Sequence, residues 1–323
     1  MRVLVTGASG LLGGGVARLL VRQGHDVSTF QRRPALVDGA TDHPGSLTDD
    51  DAVRRAVTGA DGVIHLAAKV SFTGKAADFD AVNVDGTRRL LRAARRAGVR
   101  DLVFVSSPSV ANSGSAIAGL GAEPADPARA HGDYSRTKAE AELLALAADS
   151  PDFRVAAVRP HIVWGPGDTQ LVERVLDRAR RRRLPLLDDG AALIDTTYVD
   201  NAASAIVAAL HRMEHIHGRA LVVSNGEPRP VGELLAGICA AGGVPAPSWS
   251  VPGGLARAAG SLIEGLWTRA GRAGEPPMTR FLAEQLSTAH WFDQRETRRL
   301  LDWAPAVSLD EGLARLAAHY RAR

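Results

Sequence analysis

The chain has 323 residues, 45% hydrophobic and 23% charged, with a formal net charge of +3 and a single cysteine, Cys239. That balance excludes wholesale disorder, argues against nucleic acid as a partner and leaves no internal disulfide, as suits a reducing compartment. No apolar run approaches the roughly 20 residues of a membrane-spanning helix, and Met1–Gly7 reads as a strand entering a glycine turn rather than a signal peptide, so a cytoplasmic location is expected.

The first half alternates short β-branched runs with helical patterns, which predicts a Rossmann-type, doubly wound parallel α/β sheet with helices on both faces. Val3–Val5 is the first strand, followed by a helix over Leu11–Gln23 that Gly24 stops. Further strands are expected at Val27–Phe30, weakly before Gly45, at Gly62–Ala68 and at Leu102–Ser106, with a long helix over Phe79–Ala97. A loop rich in glycine and proline then runs to Gly132, before a helix over Tyr134–Ala148 and a strand at Val155–Arg159. Beyond Pro160 the alternation loosens, with helices expected over Val172–Arg183 and Val231–Ala241 and a strand over Leu221–Ser224. Pro245–Pro277 carries scattered large apolar residues (Leu262, Ile263, Leu266, Trp267) among Gly, Ala and Pro, a composition that suits a cap over a site.

Gly7, Gly10 and Gly13 in TGASGLLG lie between the first strand and the first helix. A dinucleotide fold needs glycine there for a tight turn, for backbone approach to the pyrophosphate and for close helix packing. The helix N-terminus then offers free N–H groups and a positive dipole end to the phosphates. At the end of the second strand, where NAD sites carry an acid, stand Gln31, Arg32 and Arg33. Arginine pairs with a 2′-phosphate, which favours NADP(H), with NAD the alternative if Arg32 and Arg33 are only solvated loop charges.

Tyr134 and Lys138 are four residues apart at the start of a helix and so share a face, where an ammonium lowers a neighbouring phenol's pKa. Ser107, at the carboxyl end of the fifth strand, is placed to hydrogen-bond a substrate oxygen and steady developing charge. Alone, a Tyr-x-x-x-Lys spacing is common by chance. Its weight comes from lying downstream of a glycine turn and a strand ending in serines.

In chain order these signals are TGASGLLG at Thr6–Gly13, HLAA at His65–Ala68, Asn83 in VNVDGT, FVSS at Phe104–Ser107, YSRTK at Tyr134–Lys138 and VRPHIVWGPG at Val158–Gly167. Over nearly the whole chain they resemble the extended short-chain dehydrogenase/reductase family, the NAD-dependent epimerase/dehydratase superfamily. The resemblance implies Ser107, Tyr134 and Lys138 as the catalytic serine, tyrosine and lysine. It implies a cofactor site formed by Gly7, Ser9, Gly10, Leu11, Leu12 and Gly13, by Gln31, Arg32 and Arg33, and by backbone groups of Ser46 and Leu47 where the family has an acid. Leu66, Ala67 and Ala68 would follow the ribose and pyrophosphate, Asn83 the nicotinamide side, and Pro160, Ile162 and Val163 the nicotinamide amide, with Ser106, Tyr134 and Lys138 also in contact.

The departures narrow the branch. Ser107-Pro108-Ser109 stands where the family's dehydratases resemble Thr-Asp-Glu, so the acid and base for water elimination are missing. Ile162 replaces the asparagine that meets the substrate pyrophosphate in nucleotide-sugar epimerases. Arg159–Gln170, Leu184–Gly190 and Asp195–Asn201 instead resemble the 3β-hydroxysteroid dehydrogenase branch, which includes bacterial 2-alkyl-3-oxoalkanoate reductases. Hydrophobic substrates of that kind fit an apolar cap from Pro245–Pro277 and Phe281–Phe292, although ordinary packing of the lobe has the same composition.

The expected organisation is a nucleotide domain over 1–165, with 191–225 returning to it, and a substrate lobe from 166–190 and 226–323. The expected activity is NAD(P)-dependent interconversion of a ketone and a secondary alcohol, with no metal; the rivals are a nucleotide-sugar epimerase or reductase and a non-catalytic dinucleotide sensor. By analogy the chain forms a homodimer through Phe79–Ala97 and Tyr134–Ala148. Asp195 and Tyr198 are possible substrate-facing residues, Arg178 and Arg180–Arg183 a solvated basic helix end or an anion-binding one, and His211, His215 and His217 a group without an acidic partner.

Overall fold

A computed structural model describes residues 1–71, 74–111, 114–269 and 280–322. Among them seven parallel strands form the main sheet: β1 (Arg2–Thr6), β2 (Asp26–Gln31), β3 (Ala40–Pro44), β4 (Gly62–His65), β5 (Asp101–Val105), β6 (Arg154–Pro160) and β7 (Ala220–Val223). Their order across the sheet is β7-β6-β5-β4-β1-β2-β3, so the direction of winding reverses between β1 and β4. Ligands of open parallel sheets bind outside the carboxyl ends at such a reversal.

Every residue of β4 and β5 is buried, as a sheet covered on both faces requires. On one face α1 (Leu11–Arg22) and α6 (Val199–His211) pack over Val3, Val5, Val103 and Val158. These two helices approach closely because small residues meet: a Cβ at Gly15 would lie 3.6 Å from that of Ala203. On the other face α2 (Asp50–Val57), α3 (Gly86–Arg96) and α4 (Gly132–Ala147) cover Leu4, Val63, Leu102 and Phe104. A third cluster joins α5 (Val172–Arg180) and α7 (Val231–Ala241) around Trp164, Leu176 and Ile238. Helix α8 (Gly253–Arg269) and its neighbour Arg280–Ser287 lie over a short strand pair, Leu186–Leu187 with Ser250–Val251.

Several elements differ from expectation for identifiable reasons. Strand β4 stops at His65, not Ala68, because Leu66 N and Ala67 N turn across the end of β1 to Thr6 O and Thr6 Oγ1. The long helix begins at Ala76 and passes through a π-helical turn at Asp80–Asp85 before α3. The predicted loop to Gly132 contains a strand, Ile117–Leu120, paired with His290–Phe292 far along the chain. Helix α5 ends at Arg180, not Arg183. Arg182 is left-handed, with φ 54°, and the bonds Arg183 N to Arg178 O and Arg182 N to Ala179 O complete a Schellman-type stop. The cap segment is largely the helix α8, whose Leu255 and Leu262 are exposed while Ile263 and Trp267 are half-buried. Residues 270–279 and the side chains of Leu266 and Phe281 lie outside the described residues.

Candidate active site

The glycine turn sits at the sheet's reversal and is shaped by steric need. Gly7 has φ 78°, and a Cβ there would lie 2.8 Å from Ala67 N. A Cβ at Gly13 would lie 2.3 Å from Gly7 O, so any side chain pushes α1 off the strand. Gly10 caps α1 with no side-chain hydrogen bond and no acid in the first turn, which leaves the first N–H groups for an anion. Ser9 and Gly10 are exposed, and Leu11 and Leu12 half-buried, along this opening. These residues fit the pyrophosphate of a dinucleotide. Gly13→Ala is expected to weaken dinucleotide binding at least tenfold, about 1.4 kcal/mol, as read by fluorescence titration, with the fold intact by circular dichroism.

At the end of β2, Gln31 is buried, not open to the surface. Its Nε2 donates to Thr29 Oγ1 at 3.1 Å and to Asp42 Oδ1 at 2.8 Å. Asp42 also accepts from Thr29 Oγ1 and Ala35 N, so this carboxylate, from β3, is engaged by protein donors although its residue is exposed. Arg32 and Arg33 are exposed beyond it. Ser46 is half-buried, its Oγ 2.8 Å from Thr48 Oγ1, and Leu47 is buried against Gly86.

A relay of hydrogen bonds ties this loop region to the helix after β4. Ala67 N donates to Thr6 Oγ1 at 3.0 Å, and Thr6 Oγ1 lies 2.7 Å from His65 Nδ1. His65 Nε2 lies 3.0 Å from Thr87 Oγ1, which itself donates to Asn83 O at 2.6 Å. The Thr87 proton is spent on Asn83 O, so Nε2 carries the ring proton and donates to Thr87 Oγ1, and in the neutral ring Nδ1 accepts from Thr6 Oγ1. Burial agrees, holding His65 down at about 3. Asn83 is buried, and its amide is spent inside the protein: Oδ1 accepts from Lys69 N at 2.7 Å, and Nδ2 donates to Lys69 O and Thr137 Oγ1. It joins the segment after β4 to the second turn of α4. Leu66, Ala67 and Ala68 are half-buried between them.

Ser107 follows β5, where Ser106 N still bonds Val158 O. Its Oγ accepts from Ser109 N at 3.3 Å and from Ser109 Oγ at 3.1 Å, so its own proton is free to donate to a ligand. Ser109 is a partner that sequence reasoning had not assigned. Tyr134 and Lys138 lie on successive turns of α4. Lys138 is buried, donates to Val105 O at 2.8 Å and stands 4.0 Å from the centroid of the Phe104 ring. That bond brings the lysine to the end of β5, two residues before Ser107. Burial lowers Lys138 to about 7, against the opposing pull of Glu142. Burial pushes Tyr134 up to about 12. The expectation that Lys138 holds the phenol low is not met by this arrangement, in which desolvation raises the phenol and lowers the ammonium.

Glu142, one turn beyond Lys138, pairs with Arg159 of β6 at 2.5 and 2.9 Å, and both side chains are 1% exposed. Arg159 also donates to Glu123 O at 2.7 Å, fixing the loop before α4. The spacing YSRTKAEAE could have revealed Glu142, since Lys138 and Glu142 are four apart. Pro160, the last residue of β6, and His161 after it are buried, Val163 is half-buried, and Ile162 adopts φ 41°, a strained value for a β-branched residue. Thr197 holds it there through Thr197 Oγ1 to His161 O and Thr197 N to Ile162 O.

Two expectations are corrected by burial. Asp195 faces no substrate: it accepts from Ser224 Oγ, Gly226 N and Glu227 N, and burial raises its pKa. Tyr198 is buried edge-on to Trp164, ring centroids 5.5 Å apart. His217 does have an acidic partner, Asp149 at 3.0 Å, too distant in sequence to be read from local spacing.

The profile of the NAD dependent epimerase/dehydratase family matches residues 3–224. A 2-alkyl-3-oxoalkanoate reductase of Stenotrophomonas maltophilia is 41% identical over 326 residues, covering 98% of this chain and 99% of that protein. A 3 beta-hydroxysteroid dehydrogenase/Delta 5-->4-isomerase of Mycobacterium tuberculosis is 31% identical, covering 99% and 90%. Among solved structures, gox2253 superposes with a TM-score of 0.80 at 25% identity, covering 99% of this chain and 98% of that one. The chain thus belongs to the NAD dependent epimerase/dehydratase family, the extended short-chain dehydrogenases/reductases, on the side of its 2-alkyl-3-oxoalkanoate reductase and 3β-hydroxysteroid dehydrogenase relatives.

Proposed function

We propose that the protein is an NADP(H)-preferring oxidoreductase that reduces the ketone of a hydrophobic 2-alkyl-3-oxoalkanoate, or a similar ketone, to a secondary alcohol. The observation that carries this is the 41% identity, over almost the full chain, to a relative of that name, joined to the bond from Lys138 to Val105 O, two residues before Ser107, on the helix that carries Tyr134 one turn earlier. When bound, the dinucleotide supplies the hydride. Ser107 donates a hydrogen bond to the carbonyl oxygen, and Tyr134 delivers its phenolic proton to the same atom as negative charge builds there. Lys138, fixed by Val105 O, places an ammonium on the Tyr134 side of the site, and Asn83 holds α4 at Thr137.

The NADP preference rests on exposed Arg32 and Arg33, with Asp42, the neighbouring acid, already bound to Thr29, Gln31 and Ala35. Ile162 in place of a polar amide favours a lipid-like substrate over a nucleotide sugar. The substrate lobe would be 166–190 with 226–323, and a homodimer would use the outer faces of α3 and α4, where Leu143 is 44% exposed. No helix among the described residues is long and apolar enough to cross a membrane. Titration with NADPH and NADH, read by tryptophan fluorescence, followed by turnover of 2-alkyl-3-oxoacids, tests the reading. It expects tighter NADPH binding and NADPH oxidation; tighter NADH binding overturns the cofactor assignment, and no turnover of any ketone overturns the reaction.

A further inference from the structure

Helices α1 and α6 pack on the same face of the sheet, and a histidine stands at or just past the C-terminal end of each. His211 is the last residue of α6, and His25 follows the Gly24 turn that stops α1. His25 N bonds Leu20 O at 3.1 Å, which folds the chain back over the end of α1. The two Nε2 atoms lie 3.2 Å apart, with ring centroids separated by 5.3 Å and planes tilted by 38°. His211 is exposed and His25 half-buried, so the pair is open to solvent. Neither Nδ1 makes a hydrogen bond among the described residues.

Two imidazoles at this distance share either a proton or a metal ion. A shared proton needs one ring to carry it on Nε2, and with each Nδ1 open to water no protein group holds it there. With both protons on Nδ1, two lone pairs face the same point at the surface. Two nitrogens bound tetrahedrally to one zinc at about 2.0–2.1 Å lie about 3.3 Å apart, close to the spacing already present. Burial, and after it the charge of the Met1 amino group, lowers both imidazoles from their ordinary value, so at pH 7 they are neutral, as ligands must be. We propose that His25 and His211 form a surface clamp for one divalent transition-metal ion of the zinc class. Among the described residues no group of three or more His, Cys, Asp or Glu side chains gathers to hold a metal, so water completes the coordination. The ion ties the end of α1 to the end of α6, two helices that meet at Gly15 and Ala203. Helix α1 starts at the glycine turn and runs about 18 Å before His25, so the clamp lies apart from the dinucleotide's phosphates.

The discriminating variant is His211→Gln, which keeps an amide donor for the His25 lone pair but removes a metal ligand. Calorimetric titration of the whole protein with zinc chloride reads the site, and magnesium chloride, a hard cation that prefers oxygen, is the control. The expected result is one saturable zinc event per chain and none with magnesium. Zinc affinity is expected to fall tenfold or more in His211→Gln and in His25→Ala, with ketone turnover and the metal-free melting temperature unchanged. Zinc should also raise the melting temperature of the unaltered protein but of neither variant. Replacing the neighbouring His215 and His217 by alanine is expected to leave zinc affinity as it was. Absence of a saturable zinc event means that the rings share only a hydrogen bond and overturns the proposal, as does equal binding of magnesium or zinc affinity unmoved in both variants.

Discussion

Tyr134→Phe is expected to reduce ketone turnover by a factor of about 10²–10⁴ while leaving dinucleotide affinity close to that of the unaltered protein. The substitution removes one hydroxyl and keeps the ring that packs at the start of α4. With the phenol raised to about 12, Tyr134 stays protonated across the working range and is always able to donate. In the reducing direction the tyrosine therefore sets no pH limit below about 12. The group that titrates nearby is Lys138, whose ammonium is present below about 7 and lost above it. Turnover is expected to fall as pH rises through about 7, with the limb belonging to the lysine. Stopped-flow oxidation of NADPH with a 3-oxoacid, from pH 5 to 9, checks both points. Retained turnover in Tyr134→Phe removes the acid role, and a flat profile across pH 7 removes the lysine's.

The sheet was legible because its residues obey local rules. Buried runs such as Val3–Val5 and Leu102–Val105 announce strands, and Gly7, Gly10 and Gly13 must be glycine for steric reasons visible in the motif. The parallel strand order follows from the alternation of strands and helices. What could not be read were pairings between distant segments, such as Ile117–Leu120 with His290–Phe292, because neither strand alternates clearly and each depends on the other. Asp195 misled for a related reason: its polarity suggests a site, yet its function is to satisfy the backbone N–H groups of Gly226 and Glu227. Spacing put Tyr134 beside Lys138, but the sign of their shifts depends on how deeply α4 is buried against β5, which spacing does not contain.

Burial of α4 also makes Glu142 the residue behind Lys138 with the largest expected effect on stability. Glu142→Gln leaves the Arg159 guanidinium, 1% exposed, without its charge partner, and breaking a buried pair from one side costs about 3–5 kcal/mol. Urea unfolding should register that loss. The same change removes the carboxylate that opposes the desolvation of Lys138, so the alkaline limb of turnover should move below the unaltered protein's value of about 7. Lys138 titrates near 7 when folded and at 10.5 when unfolded, so its burial costs stability below 7 and that cost fades as pH rises toward 10.5. Glu142→Gln widens this window downward. A merely structural role is distinguished by pairing the variant with Arg159→Met. Replacing both charges should recover much of the stability, because an apolar pair tolerates burial, whereas the pH limb should stay displaced, because nothing then faces the ammonium. If the double variant restores the limb together with the stability, Glu142 acts only through the fold. If the limb alone stays low, Glu142 is a positioning residue that keeps Lys138 charged where Tyr134 works.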